Sequence, residues 1–112
     1  MKTNELKKIV IKSLEDLKAR DILVLEVADL TSIADAIVIC SGTSNRHVKS
    51  IVDNVVENAK KHQVMVIGVE GEQQGEWALV DLGDIVVHVM LPKSREFYNL
   101  EKLWDIKLPK SA

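Results

Sequence analysis

The chain has 112 residues, of which 46% are hydrophobic and 29% are charged, and its formal net charge at pH 7 is -2. This length suits one domain with its own core, and the composition is that of a soluble globular protein. The slightly acidic balance argues against a protein that holds nucleic acid through a general basic surface, so we expect little direct nucleic-acid binding.

Targeting segments and disulfides are not predicted. No stretch reaches the roughly 18 apolar residues that span a bilayer, and the first residues, MKTNELKKIV, resemble neither a signal peptide nor a transit peptide. The single cysteine, Cys40, lies in an apolar run and reads as a buried strand thiol. We therefore expect a cytoplasmic protein with no membrane partner.

The first half of the chain predicts a helix followed by two strands. Apolar residues recur at helical spacing after the capping candidates Thr3 and Asn4, which predicts a helix that ends near Arg20. Residues 22–27 and 36–41 form short, β-branched runs typical of strands.

The second half begins with a helix that Thr43 or Ser44 can cap and that runs to about Lys61. A strand is predicted at 64–69, two more form a hairpin within 75–90, and Pro92 ends the last strand. Ser94 can cap a final helix with four apolar positions, Phe97, Leu100, Leu103 and Trp104.

The order of these elements contains one strand-helix-strand crossover. It predicts an α/β domain with a mixed five-stranded sheet flanked by helices. We expect residues 1–106 to form this single domain and residues 107–112 to be a flexible tail.

The hairpin from Gly75 to Met90 is the most informative segment. Gly83-Asp84 suits a two-residue type II′ turn in which Leu82 pairs with Ile85. Alternation then places an aliphatic set on one face, which must be core: Ala78, Val80, Leu82, Ile85, Val87 and Val89. The other face carries a mixed set: Trp77, Leu79, Asp81, Asp84, Val86, His88 and Met90.

Two interpretations of this mixed face are open. It is either a partly exposed contact surface for a partner, or ordinary packing in which Trp77 covers the hairpin beneath a helix. The polar loop from Glu70-Gly71 to Gly75 leads into Trp77 and is either an ordinary connection or a point of approach for a partner.

Candidates for catalysis are few. His47, His62 and His88 are not spaced as metal ligands, and Cys40 has no partner thiol or evident activator, so we predict no metal site and no cofactor. Arg46-His47 reads as a partner contact or as a solvated helix face.

A nucleotide-dependent transferase is the enzymatic alternative. Residues 41–44 at a helix N-terminus could hold a phosphate, and Asp81 or Asp84 could bind a metal ion. A helix cap and a turn explain the same residues, and no phosphate-binding loop motif is present. We therefore predict that the protein is not an enzyme.

Several stretches of the chain resemble, in order and spacing, the motifs of the ribosomal silencing factor family, also called RsfS or Iojap-like. They are DLTSIADAIVICSGTSNRHV from Asp29, EG at Glu70, GEWALVDLGDIVVHV from Gly75 and REFYNLEKLW from Arg95. The resemblance covers nearly the whole chain. One departure is that the family commonly has aromatic residues just after Asp35, where this chain has Ala36 and Ile37.

The resemblance implies a fold related to nucleotidyltransferases but without their catalytic residues. It also implies binding to the large ribosomal subunit through ribosomal protein fourteen, which blocks joining of the small subunit and represses translation in stationary phase or under nutrient limitation. Family members in organelles assist maturation of the large subunit, so a large-subunit assembly factor is an alternative.

Under this resemblance the mixed face of the hairpin becomes the partner-binding surface. Trp77 is the expected interface anchor, and Leu79, His88 and Met90 surround it. Asp81 and Asp84 are expected to meet basic groups of the partner, and Arg95 and Tyr98 are further candidate contacts. A homodimer that pairs through an edge strand or through the Trp77 face is a third possibility.

Overall fold

The computed structural model describes residues 3–28 and 34–94. This part of the chain forms two helices and one five-stranded sheet. The elements are α1 (Thr3–Asp16), β1 (Arg20–Glu26), β2 (Ala36–Ser41), α2 (Asn45–Lys61), β3 (Gly68–Glu70), β4 (Trp77–Asp81) and β5 (Ile85–Met90). None of the helices in these residues is long and apolar enough to cross a membrane.

The sheet is mixed, as predicted, with the strand order β1-β2-β5-β4-β3. Its central pair, β2 and β5, is parallel, whereas β1 with β2, β5 with β4 and β4 with β3 are antiparallel. The segment from β2 through α2 to β3 is the predicted crossover. It passes over β5 and β4, because these two later strands insert between β2 and β3.

Helix α2 starts where predicted, directly after Ser44, whereas α1 already includes both capping candidates, Thr3 and Asn4, and ends earlier than predicted. It stops at Asp16 rather than near Arg20, because Lys18 adopts a left-handed conformation with φ of 59°. The amide of Ala19 then donates a hydrogen bond to the Leu14 carbonyl, which closes the helix, and β1 begins at Arg20. For α2 the cap is Ser44, whose side chain accepts a hydrogen bond from the His47 amide.

The third strand is much shorter than the predicted 64–69, which is a correction. Only Gly68–Glu70 pairs with β4, because β4 ends at Asp81, opposite Gly68, and the chain then turns. Residues 64–66 therefore have no β4 strand opposite them in the ladder. The side chains of this segment still alternate between core and solvent, because Val64 and Val66 pack against the core whereas Met65 and Ile67 are exposed.

The chain is helical at residues 92–94, the end of the described part. This helical turn includes Pro92, so it begins before the predicted cap at Ser94. The rest of the predicted final helix and the expected tail at 107–112 lie outside the described residues.

The predicted hairpin register is confirmed. Trp77 pairs with Met90 and Val80 pairs with Val87, and the Leu82 amide donates to the Ile85 carbonyl at 2.9 Å. Gly83 has a φ of 87°, which fits the first central position of the type II′ turn.

The aliphatic face of the hairpin lies in the main core, as predicted. It packs with alternate residues of β2 and with the buried stripes of α1 and α2, and none of its six members is more than 6% exposed. The opposite face of the sheet carries a second, smaller apolar cluster of Leu25, Val27, Ile37, Ile39 and Met90. The apolar clusters on the two faces therefore differ in composition and in size.

Gly42 allows α2 to approach the end of β2. A Cβ atom at this position would lie 2.8 Å from Cγ2 and 3.0 Å from the amide nitrogen of Val48, which is fully buried. Such contacts are too close, so any larger residue must push α2 away from the sheet.

We predict that Gly42→Ala lowers the free energy of unfolding by about 1 to 3 kcal/mol, as overpacking does elsewhere. Gly68→Ala is the matched control, because a Cβ at Gly68 meets nothing within 4 Å. Removing a glycine there should be neutral or stabilising by up to about 1 kcal/mol. Urea unfolding of both variants measures the difference, and equal effects would contradict the packing argument.

Candidate functional site

The mixed side of the hairpin, here called the Trp77 face, is built by cross-strand neighbours. Leu79 of β4 lies between Glu70 of β3 and His88 of β5, and His88 in turn lies opposite Ile39 of β2. Side chains in one such row share a face of the sheet. The row thus runs from the apolar cluster, through His88 and Leu79, to a carboxylate at the sheet edge.

Trp77 and His88 form a hydrogen-bonded pair on this face. The indole Nε1–H of Trp77 donates to Nδ1 of His88 at 3.0 Å, and the ring centroids are 5.9 Å apart with an interplanar angle of 41°. An indole nitrogen can only donate, so Nδ1 must be the unprotonated acceptor of a neutral imidazole. This geometry assigns the Nε2–H tautomer to His88.

Burial favours the same protonation state. Desolvation lowers the pKa of His88 from 6.5 to about 4, because the charged imidazolium loses hydration inside the protein. His88 is therefore neutral at physiological pH, and its Nδ1 can accept the indole N–H there.

A shallow cavity of about 290 Å³ opens beside this pair. It is lined by Glu70, Gly71, Trp77, Leu79 and His88. Gly71 has a φ of 76°, and a Cβ there would lie 2.1 Å from the Trp77 carbonyl oxygen. The loop between β3 and β4 therefore needs glycine to pass this close to β4.

The predicted contact residues differ in accessibility. Trp77, Leu79 and His88 are half-buried, and Asp84 is exposed in the turn. Met90 lies on the predicted face but is 0% exposed, packed in the second cluster, so it supports Trp77 from below and is not available as a surface contact. Arg95 and Tyr98 lie outside the described residues.

Asp81 has a structural role within the turn. It is half-buried, and its Oδ1 accepts a hydrogen bond from the Gly83 amide at 2.9 Å. This contact is the Asx interaction expected of a turn aspartate. One of its two carboxylate oxygens is thus already engaged.

The loop at 42–44 is also occupied by internal hydrogen bonds. The Gly42 amide donates to the Met90 carbonyl, and the Thr43 amide donates to Nδ1 of His47 at 2.8 Å. The other ring nitrogen of His47 lies 2.6 Å from the Leu17 carbonyl. His47 therefore links the start of α2 to the end of α1, and these amides are not directed toward a phosphate.

No metal-binding cluster is formed by residues 3–28 and 34–94: they contain no group of three or more His, Cys, Asp or Glu side chains that could hold an ion. His62, a further histidine of the sequence, places Nδ1 2.9 Å from the Asn58 carbonyl on its own helix. The three histidines thus have separate local surroundings.

Two features of the site go beyond the sequence reasoning. Glu70 and Gly71 line the cavity, although the sequence only suggested an approach loop there. The Trp77–His88 hydrogen bond was not predicted either, but the register contained a signal for it. With Trp77 opposite Met90, His88 is its diagonal neighbour on the same face, within reach of a large side chain.

Comparison with known proteins shows the family. The family described as ribosomal silencing factor during starvation matches residues 1–112. A Chromobacterium violaceum protein named ribosomal silencing factor RsfS is 43% identical over 112 residues, which span 100% of this chain and 92% of that protein. The chain belongs to the ribosomal silencing factor family, and the resemblance found in its sequence is confirmed.

Other relatives extend this result. The crystal structure of a Chromobacterium violaceum protein has a TM-score of 0.92 and 44% identity, and the match covers 94% of this chain and 88% of that one. A Mus musculus protein named mitochondrial assembly of ribosomal large subunit protein 1 is 37% identical over 102 residues, covering 88% of this chain and 45% of that protein. The family name describes a regulator, and it indicates no enzymatic activity.

The protonation state of His88 generates a prediction about stability. Between pH 6.5 and about 4 the unfolded chain binds a proton on His88 that the folded chain does not. The free energy of unfolding should therefore fall as the pH falls through this window, by about 2 to 3 kcal/mol from this residue, and His88 should contribute no pH dependence above it.

Urea unfolding at pH 7.0 and pH 4.5 of the wild type and His88→Asn measures this contribution. The variant lacks the titrating ring, so its stability should fall less between the two pH values. The difference between the two decreases in unfolding free energy isolates His88, because the carboxylates titrate in both proteins and their contributions cancel. Equal falls in the two proteins would contradict the assigned pKa shift.

Proposed function

We propose that this protein acts in the cytoplasm by binding the large ribosomal subunit through ribosomal protein fourteen and by blocking small-subunit joining, which represses translation. The Trp77 face is the proposed contact surface. The observation that carries this proposal is the half-buried indole beside an open cavity, in a chain of the ribosomal silencing factor family.

The indole suits the role of an interface anchor. Trp77 combines a large apolar ring with support from the apolar cluster beneath it, and its polar nitrogen is satisfied by His88. Aromatic side chains of this kind dominate binding energy at interfaces, because they bury much area while losing few rotamers. Leu79 extends the same surface beside the cavity that His88 also lines.

The charge around this surface favours a basic partner. Residues 70–76, EGEQQGE, contain three glutamates and no lysine or arginine, and all three glutamates are exposed. Asp84 adds an exposed carboxylate at the opposite end of the hairpin. Exposed carboxylates around a contact surface pair best with lysine or arginine of a partner, so this surface suits a basic protein.

The proposed mechanism is steric and involves no bond making. A domain of this length has a radius of gyration of roughly 13 Å. Bound to a protein at the intersubunit surface, it occupies space that the small subunit needs. Binding alone therefore suffices to keep the subunits apart, and nothing in this mechanism requires a catalytic residue.

A role in large-subunit assembly is the second candidate, and the name of the mouse relative favours it. The same surface would serve this role, since an assembly factor also binds the large subunit before the small one joins. The two roles differ in the particle that is bound. Pull-downs that retain precursor particles in preference to mature free large subunits would favour assembly.

We predict that Trp77→Ala weakens binding to purified large subunits by about 2 kcal/mol or more, which is about thirtyfold in Kd. The stability loss should be smaller than the about 3 to 5 kcal/mol of a fully buried tryptophan, because Trp77 is only half-buried. Binding is measured by sedimentation with large subunits, and stability is measured by urea unfolding.

Met65→Ala is the matched control for this variant. Met65 is also apolar and is 78% exposed, but it lies on the segment before β3, outside the Trp77 face. Its replacement should leave binding within about twofold of the wild type. A folded Trp77→Ala protein that still binds large subunits and still blocks subunit joining would overturn the proposed contact surface.

We also predict that nucleotide with magnesium leaves the Tm unchanged, because the amides of 42–43 and one oxygen of Asp81 are internally engaged. A ligand present at a hundredfold excess over its Kd would stabilise the fold by about 2.7 kcal/mol, which corresponds to a rise in Tm of roughly 10 °C. Thermal melts with ATP and MgCl₂ measure the shift. A rise in Tm that Asp81→Asn abolishes would support the transferase alternative instead.

A further inference from the structure

We propose that His88 is a positioning residue for partner binding: it accepts the Trp77 indole N–H and holds the ring in the orientation that the partner recognises. This inference deepens the proposed function and rests on it. It assigns to His88 an action through Trp77, whereas the sequence suggested a direct contact with the partner.

The position of His88 in the sheet suits it to hold the Trp77 ring in place. It lies on β5, the central strand of the sheet, between Leu79 of β4 and the fully buried Ile39 of β2. Trp77, in contrast, is the first residue of β4 and follows the exposed loop at 71–74. The hydrogen bond therefore ties a ring at the end of a strand to the centre of the sheet.

The chemistry of the pair makes the orientation specific. The indole of tryptophan has one donor and no acceptor, so only one rotation of the ring places Nε1–H against Nδ1 of His88. If the acceptor is removed, the observed rotamer loses the hydrogen bond that fixes the indole N–H, and the ring is held less firmly in this orientation. A ring already held in place loses less freedom when the partner binds.

His88 is suited to be a permanent acceptor. Its lowered pKa keeps it neutral at physiological pH, so Nδ1 accepts without depending on small changes in acidity. The charged groups that face it are few in the described residues. Glu70 lines the same cavity from β3, and the β2 and β4 neighbours, Ile39 and Leu79, are apolar.

Two substitutions of His88 with side chains of similar shape distinguish the loss of the hydrogen-bond acceptor from the loss of the bulky ring. In His88→Asn, Oδ1 occupies the same place in the side chain as Nδ1 and can accept the indole N–H. In His88→Leu, a methyl group takes that place and cannot accept. If the leucine variant does not fold, His88→Val serves as the acceptor-free variant.

The first measurement needs no ribosome. The chain has two tryptophans, so a ¹⁵N spectrum contains two indole N–H signals, and Trp77→Phe identifies the one from Trp77. We expect the Trp77 indole proton to exchange with water about tenfold faster in His88→Leu, as the loss of a hydrogen bond predicts, and within about twofold of wild type in His88→Asn. An unchanged signal in His88→Leu would overturn the positioning role.

The second measurement is the Kd for large subunits in a double-mutant cycle. We expect binding to weaken by about three- to tenfold in His88→Leu and by less than about twofold in His88→Asn. In a Trp77→Ala background, His88→Leu should cause no further loss, because its effect passes through the indole. If instead the fold-losses of Trp77→Ala and His88→Leu multiply in the double variant, His88 contacts the partner directly and the inference is overturned.

The same cycle separates this inference from the proposed function. If Trp77→Ala binds as tightly as the wild type, the proposed contact surface is wrong, and the role of His88 in binding is wrong with it. If Trp77→Ala loses binding but His88→Leu does not, only the positioning role is overturned. Urea unfolding of each variant confirms that the Kd values refer to folded protein.

Discussion

The parallel pairing of β2 with β5 at the centre of the sheet is the constraint on which the rest of the structure depends. Because side chains alternate along a strand, this pairing assigns every residue of both strands to one face or the other. Val38 and Val87 face the helices, whereas Ile39 and His88 share the opposite face. A slip of one residue would exchange the core-facing residues of a strand with those of the Trp77 face.

The two faces of the sheet differ in how much apolar surface they bury. The helix-covered face contains most of the buried apolar residues, and its contacts with α1 and α2 supply the larger core. The opposite face has a smaller apolar cluster that continues outward to Leu79, Trp77 and the cavity beside them. Substitutions on the Trp77 face should therefore leave the main core intact.

The features that first suggested enzymatic chemistry have structural roles in the folded chain. Ser44 caps α2, His47 links that helix to the end of α1, and Asp81 accepts a bond from the turn at Gly83. Each role satisfies a backbone group that the fold would otherwise leave unpaired. The proposed steric mechanism needs only a stable shape and a contact surface, for which the Trp77 face is the proposed candidate.

Local patterns in the sequence determined much of this protein. Gly83 and the alternation around it predicted the hairpin register, and the β-branched run predicted the strand Ala36–Ser41. The cap at Ser44 predicted the start of α2. These signals could be read because each depends only on residues that are near neighbours in the chain. Membership of the ribosomal silencing factor family could also be read from motif order. Tertiary structure alone decided the end of β3, which depends on where β4 stops, and the burial of Met90, which depends on the cluster beneath it. It also brought Glu70, Trp77 and His88 around one cavity, because only the pairing of three strands sets the distances between residues so far apart in the chain.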